Sequence, residues 1–366
     1  MPDKAIKSKV VYIEASGRAG LSFIRKLQEK RVYVTNKKLY KLLGLSILQG
    51  RKIIIPADGE KCKSFSNAAL IIREFLKRNV LKSDIITVIG GGALCDIGAF
   101  CASIYKRGSR LSLAPTSLLA MIDAAHGGKT ALNESGIKNC VGSFYPASEI
   151  VIYADFLTSL PAAEIESGLF EALKYGILFS KKLFVSIISQ QKRLIKYDAA
   201  NRELFIDIIK KCVRYKSKIT AADPFEKNER LALNFGHTFG HALESAAVPK
   251  LSHGYAVGLG MFMELLLARF KYGENKENLN TAGMLLKFIR NCGAYKTLNG
   301  VIRQKGIFKK LLRYIIHDKK AGAAGGAIIM PAVKRPGLYS LEEISVCDDI
   351  KPFLKEGADI IDAWNS

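Results

Sequence analysis

Two histidines stand one helical turn apart in the stretch from Leu233 to Glu244, a spacing that suits a metal site. His237 and His241 would share one face of a helix, because residues three or four apart are neighbours there. Two imidazoles placed in this way are ready ligands for a divalent ion, and His253 is close enough in sequence to supply a third. The alternative is a polar helix face with histidines that are satisfied in the core.

The same stretch predicts close helix packing. Asn234 and Glu244 would continue the histidine face, and Gly236 and Gly240 recur in the same register. Glycine lacks a Cβ atom, so this register would let another backbone approach the helix.

A carboxylate and an ammonium follow Pro161 at a spacing that places both on one face of a helix. Glu171 and Lys174 are three residues apart, on a helix that apolar residues crowd. Glu171 is therefore another candidate third ligand, adding an oxygen to two imidazoles, and a three-ligand site leaves room for a substrate. The alternative is a surface ion pair, which contributes little stability.

Three consecutive glycines, Gly90, Gly91 and Gly92, separate the apolar run Asp84–Ile89 from a helical pattern that contains Asp96. A strand, a glycine turn and a helix start can cradle a phosphate, since the backbone approaches the ligand and free amides meet its charge. The spacing meets the Gly-x-Gly-x-x-Gly fingerprint of dinucleotide folds only in part. The alternative is a tight turn without a ligand.

Cations occupy the two loops that follow. Gly127-Gly128-Lys129-Thr130 is similar to the end of a P-loop, but that motif needs a glycine where Asp123 stands, so a P-loop is excluded. Lys129 remains a candidate point charge for a carboxylate or phosphate. Lys138 and Asn139 offer another cation and an amide.

Strand and helix patterns alternate in the first part of the chain, which predicts a parallel sheet with crossover helices. From Glu164 onward the pattern is helical almost to the C-terminus. We therefore predict an α/β N-terminal domain with a Rossmann-like parallel sheet, residues 1–158, plus an all-α C-terminal domain, residues 159–366. The predicted strands are residues 10–14, 31–35, 52–56, 84–89, 111–115 and 150–153, and early helices are expected at 21–30 and 66–78.

Composition narrows the class of protein. The 366 residues include no long uncharged apolar run, so no membrane span is expected, and Met1–Lys4 lacks the apolar core of a signal peptide. Seven cysteines without a Cys-x-x-Cys pair predict reduced thiols in a cytoplasmic protein. The net charge of +23 would suit nucleic acid, but the cations are spread along the chain, so a solvated basic surface that attracts a small anionic substrate is favoured.

Together these motifs resemble the 3-dehydroquinate synthase family, from about Asp58 to Lys320. Their order and spacing make the resemblance specific, although each motif alone is weak. In chain order they are Gly90-Gly91-Gly92-x-x-x-Asp96, Pro115-Thr116-Ser117-Leu118-Leu119-Ala120, Asp123 with Gly127-Gly128-Lys129-Thr130, Lys138-Asn139, Glu171-x-x-Lys174-Tyr175-Gly176, Leu233-Asn234-Phe235-Gly236-His237-Thr238-x-Gly240-His241, His253-Gly254 and Asp318-Lys319-Lys320.

The resemblance implies a role for each matching residue, and a homodimer. Zinc, or cobalt, would be held by Glu171, His237 and His253, so that His241 becomes a substrate-side or proton-handling residue instead of a ligand. NAD would be bound by Glu60, Lys63, Gly90, Gly91, Gly92, Asp96, Thr116, Ser117, Asp123, Lys138 and Ser159. The substrate's phosphate, carboxylate and hydroxyls would be held by Lys129, Asn139, Lys174, Lys216, Arg230, Asn234 and Lys319 or Lys320.

The implied reaction converts 3-deoxy-arabino-heptulosonate 7-phosphate into 3-dehydroquinate and phosphate. It would proceed by transient oxidation with NAD, phosphate elimination, re-reduction and intramolecular aldol closure. Many cations suit a dianionic phosphate beside a carboxylate. The alternatives are another sugar-phosphate cyclase, a metal-dependent polyol dehydrogenase of the same fold, and a homologue that has lost its activity.

Two positions depart from the family pattern. Tyr255 stands where the family usually has glutamate in His-Gly-Glu-Ala-Val, and Ala163 stands where an arginine is usual. Loss of the glutamate beside His253 would be expected to weaken metal binding through the surroundings of the ligands. Neither change removes a residue of the implied site.

Overall fold

The computed structural model describes residues 8–15, 31–45, 51–55, 57–320, 326–355 and 357–365. The helix predicted at residues 21–30 lies outside the described residues, as does Pro56 at the end of the third predicted strand.

The first part of the chain is built on a six-stranded parallel sheet. The strands of the described residues are β1 (Lys9–Tyr12), β2 (Arg31–Asn36), β3 (Arg51–Ile55), β4 (Ile85–Gly90), β5 (Arg110–Pro115), β6 (Leu132–Glu134), β7 (Ile137–Val141), β8 (Glu149–Ile152), β9 (Ala327–Arg335) and β10 (Leu338–Ser345). The sheet has the order β1-β8-β5-β4-β2-β3, and its neighbours all pair in parallel. All six predicted strands are confirmed, each beginning within one residue of the predicted start.

Helices cover this sheet and make up most of the rest of the chain. They are α1 (Lys37–Leu42), α2 (Phe65–Lys77), α3 (Gly92–Ile104), α4 (Ala162–Phe179), α5 (Lys181–Ser189), α6 (Arg202–Ala222), α7 (His237–Ala246), α8 (His253–Tyr272), α9 (Lys276–Arg290), α10 (Tyr295–Ile302), α11 (Ile307–Lys320), α12 (Lys351–Lys355) and α13 (Ala358–Asn365). In the described part of the chain, no helix is both long and apolar enough to cross a bilayer.

Local chemistry explains why these elements form. The interior strand β2 is buried along its whole length, with Val32 and Val34 on one face of the sheet and Tyr33 on the other. Helix α2 begins where the Ser64 hydroxyl accepts a hydrogen bond from the amide of Asn67, and it buries Ile71 and Phe75 one turn apart.

Two antiparallel hairpins were not predicted. Strands β6 and β7 are joined by Ser135 and Gly136, both with positive φ, and β9 and β10 by Pro336 and Gly337. The second hairpin lies within the otherwise helical C-terminal half. The predicted fold class, a Rossmann-like parallel sheet followed by a helical region, is confirmed, with this hairpin as an addition.

The chain divides into two compact units. Unit 1 contains residues 1–165 and 196–225, and unit 2 contains residues 166–195 and 226–366. Helix α6 therefore belongs to the unit that carries the sheet, whereas the sequence placed it in the helical domain. The predicted boundary at residue 158 stays a prediction.

Candidate active site

In unit 2, helices α7 and α8 pack closely against each other. This packing brings the histidine at the start of one helix close to the histidine at the start of the other. Gly236 has a φ of 79°, and a Cβ atom there would lie 2.4 Å from Met261 Cγ. A Cβ atom at Gly260 would lie 2.0 Å from the carbonyl oxygen of Gly236, and one at Gly240 would lie 3.2 Å from Val257 Cα. The close approach predicted for Gly236 and Gly240 is therefore confirmed.

Three candidate metal ligands converge at this packing seam. Glu171 Oε1 lies 3.4 Å from His237 Nε2 and 3.2 Å from His253 Nε2. Their ligand atoms all lie within 4.8 Å of one another, which is compatible with a shared cation. Glu171 is fully buried on α4, and neither of its carboxylate oxygens has a hydrogen bond of good geometry within the described residues.

The other nitrogen of each imidazole already has an acceptor. His237 Nδ1 lies 3.0 Å from the carbonyl oxygen of Phe235, and His253 Nδ1 lies 3.1 Å from Glu244 Oε2. With a cation bound at Nε2, the one proton left on each ring would lie on Nδ1 and be donated to that acceptor. This donor set of two imidazole nitrogens and a carboxylate fits a zinc or cobalt ion.

Opposite charges surround the buried carboxylate. Burial acts to raise the pKa of Glu171, but Lys174, whose Nζ lies 2.6 Å from Oε2, and His237 hold it well below its usual range. Burial likewise opposes protonation of His253, but the nearby carboxylates of Glu171 and Glu244 prevail and raise its pKa to about 10. Burial, and then Lys174, lower the pKa of His237.

His241 is exposed beside the three ligand candidates. Its ring centroid lies 5.4 Å from that of His237 and 6.0 Å from that of His253. It also belongs to a second group that could hold a metal ion, together with Glu244 and His253. Glu171 contacts His237 and His253 directly, and the roles of the three histidines stay predictions.

A buried arginine and an amide meet on a carboxylate that the sequence did not single out as a site residue. Glu226 Oε2 lies 3.6 Å from Arg230 Nε, and Glu226 Oε1 accepts a hydrogen bond of 3.1 Å from Asn234 Nδ2. The four-residue spacing to Arg230 was the available signal. Lys319 and Lys320 end helix α11, but their side chains lie outside the description.

In unit 1 the glycine turn forms as predicted. Gly90 ends β4, Gly91 caps α3 without a side-chain hydrogen bond, and Gly92 begins the helix. A Cβ atom at Gly91 would have Ser117 Oγ as its nearest neighbour at 3.6 Å, and the Thr116 amide donates to Gly90 O at 2.9 Å. The geometry suits a phosphate at the start of α3.

Lys63 contacts several of the predicted site residues. Its ammonium lies 2.8 Å from Asp96 Oδ2 and 3.6 Å from Glu60 Oε1, and it also donates to Asn139 Oδ1. Burial raises the pKa of Asp96 to about 6, although Lys63 acts to lower it. Asn133 ties the group together, because its side chain donates to Glu60 Oε1 at 2.7 Å and accepts from the amide of Asn139 at 2.9 Å.

The other predicted site residues of unit 1 are less closely grouped. Lys216 on α6 is buried, with Nζ 2.8 Å from Asp123 Oδ1, so a predicted substrate residue meets a predicted NAD residue. Lys129 and Lys138 are exposed, the latter on β7. Ser159 is exposed and donates to the carbonyl of Phe156 at 3.3 Å, so its place beside NAD stays a prediction.

Comparison with known proteins gives this geometry a family. A model described as 3-dehydroquinate synthase N-terminal matches residues 53–167, and one described as 3-dehydroquinate synthase C-terminal matches residues 168–321. The chain belongs to the 3-dehydroquinate synthase family. A 3-dehydroquinate synthase from Pyrococcus furiosus is 39% identical to it over 250 residues, which are 67% of this chain and 72% of the relative.

Solved structures share the fold of this 3-dehydroquinate synthase family member. One is 2-epi-5-epi-valiolone synthase from Streptomyces hygroscopicus subsp. jinggangensis 5008 with NAD+ and Zn2+ bound, with a TM-score of 0.81, 23% identity, and coverage of 98% of this chain and 99% of that one. Another is 2-deoxy-scyllo-inosose synthase complexed with carbaglucose-6-phosphate, NAD+ and Co2+, with a TM-score of 0.77, 20% identity, and coverage of 95% and 96%.

One departure from the 3-dehydroquinate synthase pattern has a structural account. Tyr255 is buried, and its hydroxyl donates to Glu166 Oε2 at 2.5 Å. Glu166 also accepts the amide of Gly293 at 3.0 Å. Ala163 is exposed, and nothing in the structure explains it.

Proposed function

We propose that this protein is a 3-dehydroquinate synthase that converts 3-deoxy-arabino-heptulosonate 7-phosphate into 3-dehydroquinate and phosphate. The observation that carries the proposal is the meeting of Glu171, His237 and His253, with both Nε2 atoms turned toward the carboxylate. Family membership supports the reaction class.

Zinc, or cobalt, would be held by Glu171, His237 and His253, and NAD by the residues around the glycine turn. When bound, NAD would accept and return a hydride, and the metal would act as a Lewis acid toward a substrate oxygen. The NAD pocket in this proposal is Glu60, Lys63, Gly90, Gly91, Gly92, Asp96, Thr116, Ser117, Asp123, Lys138 and Ser159. It is supported by the start of α3, where the N-cap residue Gly91 has no side chain to bond the first amides, and by the contacts of Lys63 with Glu60 and Asp96.

The substrate would be held by the cations and amides of the proposed set. A dianionic phosphate and a carboxylate need several positive partners, and charge-assisted hydrogen bonds fix their orientation. Buried Lys174 and Arg230 are preorganised by Glu171 and Glu226, so they would lose little freedom on binding. We assign His241 to proton handling because it is exposed beside the ligand candidates. The proposed set is Lys129, Asn139, Lys174, Lys216, Arg230, Asn234, His241, Lys319 and Lys320.

We further propose a cytoplasmic homodimer in which residues 1–158 bind NAD and residues 159–366 bind the metal. All seven cysteines are free thiols, which agrees with a reducing compartment. Light scattering on the purified protein would test the dimer.

Phosphate release is the decisive assay. Purified protein with NAD, zinc and the heptulosonate phosphate should release phosphate without a net change in nicotinamide absorbance. Accumulation of NADH in step with turnover would instead indicate a polyol dehydrogenase, and phosphate release from other sugar phosphates alone would indicate a different cyclase. A protein that retains metal but gives no turnover would be a homologue that has lost its activity.

A further inference from the structure

Glu244 contacts the nitrogen of His253 that does not face Glu171. Glu244 Oε2 lies 3.1 Å from His253 Nδ1, whereas Nε2 of the same ring lies 3.2 Å from Glu171 Oε1. A neutral imidazole carries one proton, so a cation at Nε2 leaves that proton on Nδ1, where it is donated to Glu244. One hydrogen bond therefore fixes both the tautomer and the rotation of the ring.

His253 needs such a restraint because of its position in the fold. It is the first residue of α8, its side chain is 35% exposed, and its N-cap residue Ser252 makes no side-chain capping hydrogen bond. Packing alone therefore restrains this ring less than it restrains His237, whose side chain is 13% exposed. Glu244 is well placed to supply the restraint, with a side chain that is only 10% exposed on α7.

Tyr255 is directed to a different partner. Its hydroxyl donates to Glu166, which also accepts the amide of Gly293 before α10. Its ring packs edge-on against Phe170, with centroids 5.7 Å apart. These contacts fasten the start of α8 to α4, whereas the carboxylate on His253 comes from α7.

We propose that Glu244 is a positioning residue that orients His253 for metal binding, and that the tyrosine at position 255 leaves this task untouched. The inference rests on the proposed function, since it needs Glu171, His237 and His253 to hold the ion. It also revises the expectation that the loss of a glutamate at position 255 weakens metal binding.

The test measures the Kd for Zn2+ of the full-length protein by competition with a chromophoric chelator at fixed pH. Glu244→Ala should raise the Kd about 10- to 100-fold, the usual loss when the partner of a ligating histidine is removed. Glu244→Gln should raise it less, because an amide oxygen can still accept the Nδ1 proton. Tyr255→Phe is the matched control on the other side of His253 and should leave the Kd within about twofold.

A second readout separates positioning from general destabilisation. The absorption bands of the Co2+-loaded protein report ligand geometry, and they should shift in Glu244→Ala but not in Tyr255→Phe. An unchanged Kd and spectrum in Glu244→Ala would overturn the inference, as would equal metal loss in both variants. If Glu244→Ala does not fold, Glu244→Leu, which keeps much of the side-chain volume but has no acceptor, carries the comparison, and a wild-type Kd and spectrum there would overturn the inference.

Two further outcomes are distinguishable. Metal retention in His253→Ala would contradict the proposed metal site itself, whatever Glu244 does. Two ions per protomer in the wild type, with one lost in Glu244→Ala and the tighter Kd unchanged, would make Glu244 a ligand in its group with His241 and His253. That result would also overturn the positioning role.

Discussion

Glu171 is buried where one ammonium and two imidazoles meet. Removing a carboxylate from water is costly unless opposite charges and donors surround it, and removing one partner leaves the others uncompensated. The charges of Glu171, Lys174 and His253 therefore depend on one another. A substitution at any of them changes the whole group, so single-residue effects on this site will not add.

Replacing His253 by Ala should abolish metal retention, while replacing His241 by Ala should preserve it and lower turnover about 10²- to 10⁴-fold. The reason is that Glu171 contacts His253 and His237, whereas His241 stands beside them on the exposed side. Elemental analysis and phosphate release on the same preparation check both expectations. Equal metal loss in the two variants would contradict the ligand assignment.

His126 should make stability depend on pH. It is buried, its Nε2 lies 2.9 Å from the Met121 carbonyl oxygen, and burial lowers its pKa from 6.5 to about 4. As pH falls, the unfolded chain binds a proton at this imidazole before the folded chain does. The contribution of neutral His126 to folding stability is therefore complete above pH 6.5 and is lost as pH falls toward about 4.

Between about pH 7.5 and about pH 5, the wild type should lose roughly 2 kcal/mol more unfolding free energy than His126→Gln. Urea unfolding of both proteins at the two pH values measures the difference. Equal losses would show that this imidazole is free to protonate in the folded protein.

At the scale of elements, the packing of α7 on α8 depends on glycines whose positions a Cβ atom would fill. A Cβ atom at Gly260 would lie 2.0 Å from a backbone oxygen of Gly236, which has no flexible end to move away. By contrast, no atom of the described residues lies within 4 Å of a Cβ atom placed at Gly283, in the middle of α9. The same substitution should therefore have opposite effects at the two positions.

Gly260→Ala should lower the unfolding free energy by about 1–3 kcal/mol, because overpacking forces the helices apart. Gly283→Ala should raise it by about 0.5–1 kcal/mol through helix propensity. Thermal or urea unfolding of both variants measures this. A neutral Gly260→Ala would show that the two helices can separate at little energetic cost.

The spacing of apolar residues predicted the main strands and helices, whereas the prediction did not include the two-residue turns that signal the hairpins. The six sheet strands read clearly because buried parallel strands are continuous apolar runs. The hairpin strands are short or mixed in polarity, and their signals were the dipeptides Ser135-Gly136 and Pro336-Gly337. Helix α6 reads as one more helix after residue 158, and only packing against the sheet reveals its unit.

The site was predictable to a similar degree. Helical spacing alone proposed His237 with His241, but whether Glu171 or His253 completes the set depends on how α4, α7 and α8 pack. Glu226 and Glu244 were not among the predicted site residues: their spacing to Arg230 and to the histidines suggests a shared helix face, but not which side chain each carboxylate contacts.

At the scale of the whole molecule, the net charge of +23 exceeds what a small anionic substrate requires. Residues 278–317 contain no Asp or Glu, so positive charge is concentrated in this stretch as well as spread along the rest of the chain. They include eight cations, Lys287, Arg290, Lys296, Arg303, Lys305, Lys309, Lys310 and Arg313. Such a surface raises the local concentration of anions at low ionic strength.

We therefore expect kcat/KM for the phosphorylated substrate to fall as KCl rises, with kcat changing less, because screening weakens the capture of the anion. Initial rates of phosphate release at several KCl concentrations measure both constants. Sucrose at matched osmolality is the control. A kcat/KM that is independent of salt would mean that the surface charge has no part in substrate capture.

His237, His241 and Glu244 stand on consecutive turns of one short helix, four and three residues apart. Inserting or deleting a single residue between them would rotate everything downstream by about 100°, so the proposed ligand, the proposed proton carrier and the proposed positioning carboxylate would no longer share one face. The effect of a substitution in α7 can range from small to large, whereas any change in the length of the helix disrupts the alignment of these three residues. We therefore expect the length of this segment to stay constant. Length variation near it should occur only in the loop between Ala247 and Ser252.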